Sequence, residues 1–173
     1  MRAVISTVMF LLTGSLLYSQ SSNEVMVIRA QVQAINNVKG YKIKTLTNDY
    51  FVNEKNEVTD NGQELKGYYK DGKLKKLSYY AGLSNCVKTY EYYLDDAGRL
   101  IFVFEKEKDF PGLKDGTGLD YSKLVPAFEG RYYFDQGKLI KIKIHGKERS
   151  ADENKTAFQE FLEDFKKDLK TQK

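Results

Sequence analysis

Cys86 and His145 are the only thiol and the only imidazole in the chain. Together they are the minimum for thiol-based nucleophilic catalysis, in which the imidazole takes the sulfhydryl proton. Nothing local joins them, because His145 closes an alternating stretch, "LIKIKIH", far downstream of Cys86. A small, buried apolar role is the reading favoured for Cys86, and a lone cysteine excludes an intramolecular disulfide. Carboxylates are more plentiful. Glu105, Glu107 and Glu129 offer candidates for a glycosidase pair, whose defining separation is spatial and is not fixed by sequence spacing. Asp95, Asp96, Asp109, Asp115 and Asp120 gather near turns. "DGTGLD", however, neither alternates oxygen ligands nor ends in the bidentate acid that closes a calcium loop. One Cys and one His do not make a Cys/His zinc site. The chain contains no G-x-S-x-G elbow and no glycine-rich phosphate loop. No catalytic set, metal or cofactor is therefore expected.

The tyrosines carry the remaining chemistry. The chain has 13 of them and no tryptophan, and Tyr68, Tyr79, Tyr93 and Tyr133 stand among lysines and arginines. A phenol is an amphipathic contact for a sugar or a protein surface. Tyr68, Tyr133, Arg131, Lys141 and Lys143 are the expected interaction surface. Adjacent tyrosines on a strand point to opposite faces, so half of each pair is expected to be core.

Three echoes show what must position these residues. "GYYKDGKLKKLSYY" at 67–80, "YEYYLDDAGRLIFVFE" at 90–105 and "GRYYFDQGKLIKIKI" at 130–144 each run from paired aromatics through Asp and Gly to Lys or Arg, then Leu. Asp71–Gly72 between strand-like flanks is a strong two-residue hairpin signal, since both central positions need positive φ. Gly98 and Gly137 fit longer loops with a late left-handed glycine. Three successive hairpins follow. In the third, a three-residue loop would set Tyr133 opposite Leu139 and Tyr132 opposite Ile140. Tyr132, Phe134, Ile140, Ile142 and Ile144 would then be core, and Glu129, Arg131, Tyr133, Lys141 and Lys143 wet. In the first, Leu65, Tyr69 and Leu74 form the drier side. "LIFVF" at 100–104 is apolar on both faces, as in a strand covered on both sides and placed mid-sheet.

Around the hairpins, Val25, Ile28, Val32 and Ile35 recur at helical spacing, predicting a helix over 23–38 capped by Asn23 and stopped by Gly40. A strand at 41–47 follows. The segment 48–63 reads as turns around a short strand at 50–52. Residues 106–128 hold both prolines and read as a long loop of the kind that is often functional. Ser150 to Glu153 forms a capping box before Phe158, Phe161, Leu162, Phe165 and Leu169, predicting an amphipathic helix over 151–171. Residues 1–19 read as a signal peptide: Arg2, then an apolar run to Tyr18, with cleavage after Ser19. Residues 20–173 then form a single domain with no later membrane span. A formal net charge of +4 is too mild for a dedicated nucleic-acid binder.

"YYLDDAGRL" and "YYFDQGKL" resemble the hairpin units of YD repeats and cell-wall-binding repeats. The wider pattern "GYYKDGKLKKL", "GLSN…EYYLDDAGRLIFVFEKE" and "FEGRYYFDQGKL", spanning 67–139, is similar to a family of small exported bacterial proteins of unknown function. That resemblance implies a shared fold and export and carries over no catalytic residue. The expected protein is α+β: an antiparallel meander of six or seven strands over 41–145, with an N-terminal helix and a C-terminal helix packed on the sheet. Its expected function is non-catalytic binding of a protein or cell-envelope component. The alternatives are a small hydrolase using carboxylates or Cys86 with His145, and a structural surface protein.

Overall fold

The computed structural model describes residues 11–147 and 157–171, with side chains from 23 onward. Seven strands form one antiparallel sheet in chain order. They are β1 Lys42–Leu46, β2 Gln63–Lys70, β3 Lys73–Gly82, β4 Cys86–Leu94, β5 Leu100–Asp109, β6 Val125–Asp135 and β7 Lys138–Gly146. Helix α1 (Leu11–Asn37) packs on one face, and α2 (Asn48–Lys55) and α3 (Ala157–Thr171) pack on the other. The α+β meander expected from the sequence is the fold. Among the described residues, no helix is long and apolar enough to cross a membrane.

The threefold echo is a threefold hairpin, and each copy repeats more than its turn. Asp71 and Gly72 both take positive φ, at 51° and 75°, and Gln136 and Gly137 do the same at 46° and 77°. This is the conformation whose twist matches the flanking strands. Between β4 and β5 the loop is longer. Gly98 takes φ 78°, and its N–H reaches the Asp95 carbonyl at 3.0 Å. Just past each turn the register slips by one. Tyr68 faces Lys76 while Tyr69 faces Leu74, which leaves Lys75 unmatched, and Ile101 and Ile140 are unmatched in the same way. Each is a β-bulge. The bulges leave Leu74, Leu100 and Leu139 against the α3-side core.

The bulge in the third hairpin overturns the expected pairing there. Its loop has two residues, so Phe134 faces Leu139, Tyr133 faces Lys141 and Tyr132 faces Ile142. Ile140, as the extra residue, turns toward α1, and Ile144 is 41% exposed, so only Ile142 of the three isoleucines packs on the α3-side core.

Other expectations are corrected by the same packing. Residues 50–52 lie in α2 and not in a strand, because Phe51 is drawn into the core beside Tyr79 and Tyr50 reaches Asp168 of α3. Asn23 is not a cap; it lies within α1, which starts upstream and runs on through Ser19. Gly40 follows the helix with φ +70°, as expected of a stop. The loop expected over 106–128 is shortened at both ends, since β5 extends to Asp109 and β6 begins at Val125. Pro126 is accommodated where the β5–β6 register shifts. The remainder folds back on itself through a Gly112–Leu119 bridge and a Phe110–Tyr121 ring contact at 5.0 Å. The predicted capping box lies outside the described residues.

Phe158, Leu162, Phe165 and Leu169 form the buried stripe of α3, while Phe161 lies outside it, half exposed and stacked on Phe165. The helix approaches β2 so closely that a Cβ on Gly67 would sit 2.7 Å from a Leu169 methyl. Leu65, Leu77, Tyr92, Val103 and Phe134 complete this side. On the other side, Val25 and Ile28 of α1 cover Tyr93, Ile101, Phe102 and Tyr133. β5 is therefore an interior strand buried on both faces, as its composition predicted.

Candidate functional site

Pairing across the sheet sets the side chains facing α1 into rows. The row nearest the turns contains Tyr68, Lys76, Tyr93, Phe102, Tyr133 and Lys141. The next contains Ser78, Glu91, Phe104, Arg131 and Lys143, and the one beyond it Tyr80, Thr89, Lys106, Glu129 and His145. Helix α1 lies along the first row. Tyr133 beneath it is only 2% exposed, which removes it from the surface expected for it. Its hydroxyl accepts a hydrogen bond from Arg29 Nε at 3.3 Å. The two outer rows stay open because α1 is a single cylinder about 10 Å across, narrower than these strands are long.

A groove of ≈ 590 Å³ runs where α1 meets the open rows. Arg29, Gln33 and Asn36 form its helix wall, Phe104 and Tyr93 part of its floor, and Arg131 and Lys143 its far side. Two cations lie over Phe104, with the Arg131 guanidinium 4.9 Å and the Lys106 ammonium 4.6 Å from its ring centre. The acids here are already engaged. Glu129 pairs with Arg131, and Glu91 with Lys76 at 2.6 Å and with the Tyr93 hydroxyl at 2.7 Å. Burial, reinforced by the Glu91 carboxylate, holds the Tyr93 phenol well above its ordinary range, so it stays neutral and donates. What the groove presents to solvent is a flat ring under cations, with exposed Arg29 and Lys143 at its margins.

Of the expected surface, Arg131, Lys141 and Lys143 share this face, with Lys141 and Lys143 exposed. Tyr68 is on the same face but in β2, where Tyr41 meets its ring edge-on at 5.8 Å and Lys76 lies over it. It does not line the groove. Sequence reasoning missed Phe104, Lys106 and Arg29. The alternation of "FVFEKE" places Phe104 and Lys106 on one side of β5, and that was the available signal.

The catalytic alternatives do not assemble. Cys86 alternates with Lys88, Tyr90 and Tyr92 on the α3 side of β4, whereas His145 pairs with Glu129 on the α1 side of β7. They lie on opposite faces and three strand spacings apart, about 14 Å. Glu105 is completely buried, taking hydrogen bonds from the Tyr90 and Tyr132 hydroxyls at 3.2 and 3.0 Å. Glu129 is on the other face. Cys86, Glu107 and Asp109 do converge, with ligand-type atoms within 4.8 Å of one another. Lys88 approaches Glu107 at 3.7 Å and Lys147 pairs with Asp109, so lysines balance both carboxylates. That is an ion-pair cluster around a buried thiol, and a structural zinc site would need more nitrogen or sulfur ligands.

Asp115 and Asp120 each accept the N–H of the residue two positions on, Thr117 and Ser122, both at 3.1 Å. These are turn-forming acids, not a cation loop. Fold and surface together define a meander-sheet protein with one open, cation-rich face. Comparison with known protein families, characterised proteins and solved structures finds no match to this chain.

Proposed function

We propose that the protein is an exported, non-catalytic binding protein of the bacterial cell envelope, and that it holds an anionic partner in the groove between α1 and the open rows of the sheet. The observation that carries this reading is the pair of cations over Phe104, flanked by Arg29 and Lys143, where the neighbouring acids are already satisfied. A partner carboxylate, sulfate or phosphate would gain charge-assisted hydrogen bonds there without displacing an internal acid. An apolar or ring-bearing neighbour of that anion would rest on Phe104. The leader, with Arg2 before an apolar run, supports export.

Two measurements test this. The protein should be recovered outside the cytoplasm with its amino terminus just after Ser19, and recovery only inside the cytoplasm with the leader intact would sink the export reading. Immobilised protein should retain an anionic envelope component that is eluted by salt. Arg131→Ala and Lys143→Ala should each reduce retention several-fold while urea midpoints stay close to the parent value, and Phe104→Ala should reduce it several-fold with a lower midpoint, since Phe104 also packs on the α1-side core. Undiminished retention by all three variants would remove the groove from the proposal. Tyr133→Ala is no test of binding, because Tyr133 is core.

A further inference from the structure

We infer that the outer edge of β7, which no described residue pairs, is a strand-addition site for an extended acidic polypeptide segment. This rests on the binding-protein reading and specifies how such a partner docks. β7 ends the sheet, with β6 on one side and no strand beyond it among the described residues. The opposite edge, β1, is shorter, and Lys44 within it is tied to the carbonyl of Leu169 in α3. β7 therefore offers the longer row of outward N–H and C=O groups, the template that strand addition requires.

The side chains of β7 decide which strand fits. The bulge at Ile140 interrupts the ladder near the turn, so the regular edge runs over 141–146. On the α1 side it presents Lys141, Lys143 and His145, and on the other side Ile142 and the exposed Ile144. No acid lies in this strand. Antiparallel pairing of β7 with β7 of a second copy would line lysine against lysine, and like charges directly opposite are unfavourable. The lysines that bar self-pairing favour a partner strand that alternates acids, opposite Lys141, Lys143 and His145, with apolar residues opposite Ile142 and Ile144. Directly paired side chains across a ladder lie about 5 Å apart at Cβ, within ion-pair reach of lysine. Lys143 also borders the groove, so such a segment could continue into it.

The test uses the isotope-labelled full-length protein and a short synthetic peptide alternating Glu and Val. A copy N-methylated at alternate amides serves as control, since it keeps the charges and loses the ladder. Binding should slow exchange of alternate amides within 141–146 at least tenfold, and the methylated copy should bind at least tenfold more weakly. Lys141→Glu with Lys143→Glu should also weaken binding by tenfold or more. Equal binding of both peptides, or binding without protection of β7, would overturn the edge site while leaving the groove proposal standing. Absence of binding at millimolar peptide would overturn it as well. Loss of binding on Phe104→Ala, with β7 exchange unaltered by peptide in the parent, would assign the contact to the groove alone.

Discussion

The two faces of the sheet are made from the same residue types and end up as different materials. The α3 side is dry over most of its length: Leu65, Leu77, Tyr92, Val103 and Phe134 are sealed by four apolar residues of one helix. Even its fully buried acid, Glu105, is satisfied by two phenols. The α1 side is dry only along its first row, and beyond Phe102 and Tyr133 it turns into a lattice of Glu91, Arg131, Glu129, Lys106 and Lys143. Period-two alternation distinguishes one face from the other. It does not show how far along a strand a helix reaches, and on the α1 side that distance separates core from surface.

The largest test of this contrast sets neighbours against each other. Phe134→Ala empties the α3 side and Tyr133→Ala the α1 side, one residue apart on β6. Each should cost about 3–5 kcal/mol in urea unfolding if both positions are core. A cost below about 1 kcal/mol for Tyr133→Ala would mean that α1 does not seal that row.

Of the residues expected to be wet on the third hairpin, Tyr133 alone was misjudged, for a reason visible in its neighbours. Tyr133 sits between Tyr132 and Phe134 with arginine and lysine nearby, and local alternation assigns it outward. What buries it is Val25 and Ile28, brought from more than a hundred positions away. The hairpins were legible because their chemistry is local: Asp71–Gly72 needs no distant partner to favour positive φ. The bulges at Lys75, Ile101 and Ile140 were not, since one extra residue leaves no mark in composition, and the missed bulge shifted the predicted pairing of the third hairpin. Residues 50–52 were missed for a related reason, because a short aromatic run fits strand and helix equally until a core claims Phe51. Of the binding surface, the basic residues were readable in sequence, but the two cations over Phe104 needed β5 and β6 in register.

The next test probes how tightly the α3 side is packed. A Cβ on Gly130 would lie 2.6 Å from the Tyr132 ring and 2.7 Å from its hydroxyl, the group that bonds Glu105. Gly67→Ala presses on Leu169 in the same way. Each should destabilise by about 1–3 kcal/mol through overpacking. Gly72→Ala meets no atom within 4 Å. It should cost only about 1 kcal/mol, from its positive φ alone. If Gly130→Ala proved as mild as Gly72→Ala, the dry face would be looser than its contacts imply.

On the open rows the order reverses, and side chains can go with little loss of stability. Arg131→Ala removes an ion pair and a contact with Phe104 and should change unfolding free energy by no more than about 1 kcal/mol. Its effect should fall on partner retention instead. A loss of several kcal/mol would place Arg131 in the core's accounts and make the open face a structural one.

The smallest effect belongs to a segment on neither face, the folded-back loop between β5 and β6. Hydrogen bonds from the Ser122 hydroxyl, the Lys123 ammonium and the Ser122 N–H hold the Asp120 carboxyl down at about 2, against an ordinary value of 3.8. The folded value lies below the unfolded one, so the carboxylate's contribution is complete above about pH 4 and disappears as pH falls through about 2. Asp120 is partly exposed and its partners Ser122 and Lys123 lie in the same loop, which limits that contribution to the loop itself. Followed by NMR, its carboxyl should titrate near pH 2, and the Ser122 amide should shift with the same midpoint. Tyr92 and Tyr132 resonances should not move with it. If they did, the loop would be coupled to the dry face, and the division between a sealed core and locally held surroundings would fail at this point. A midpoint near 4 would show instead that the turn around Asp120 is not held closed in solution.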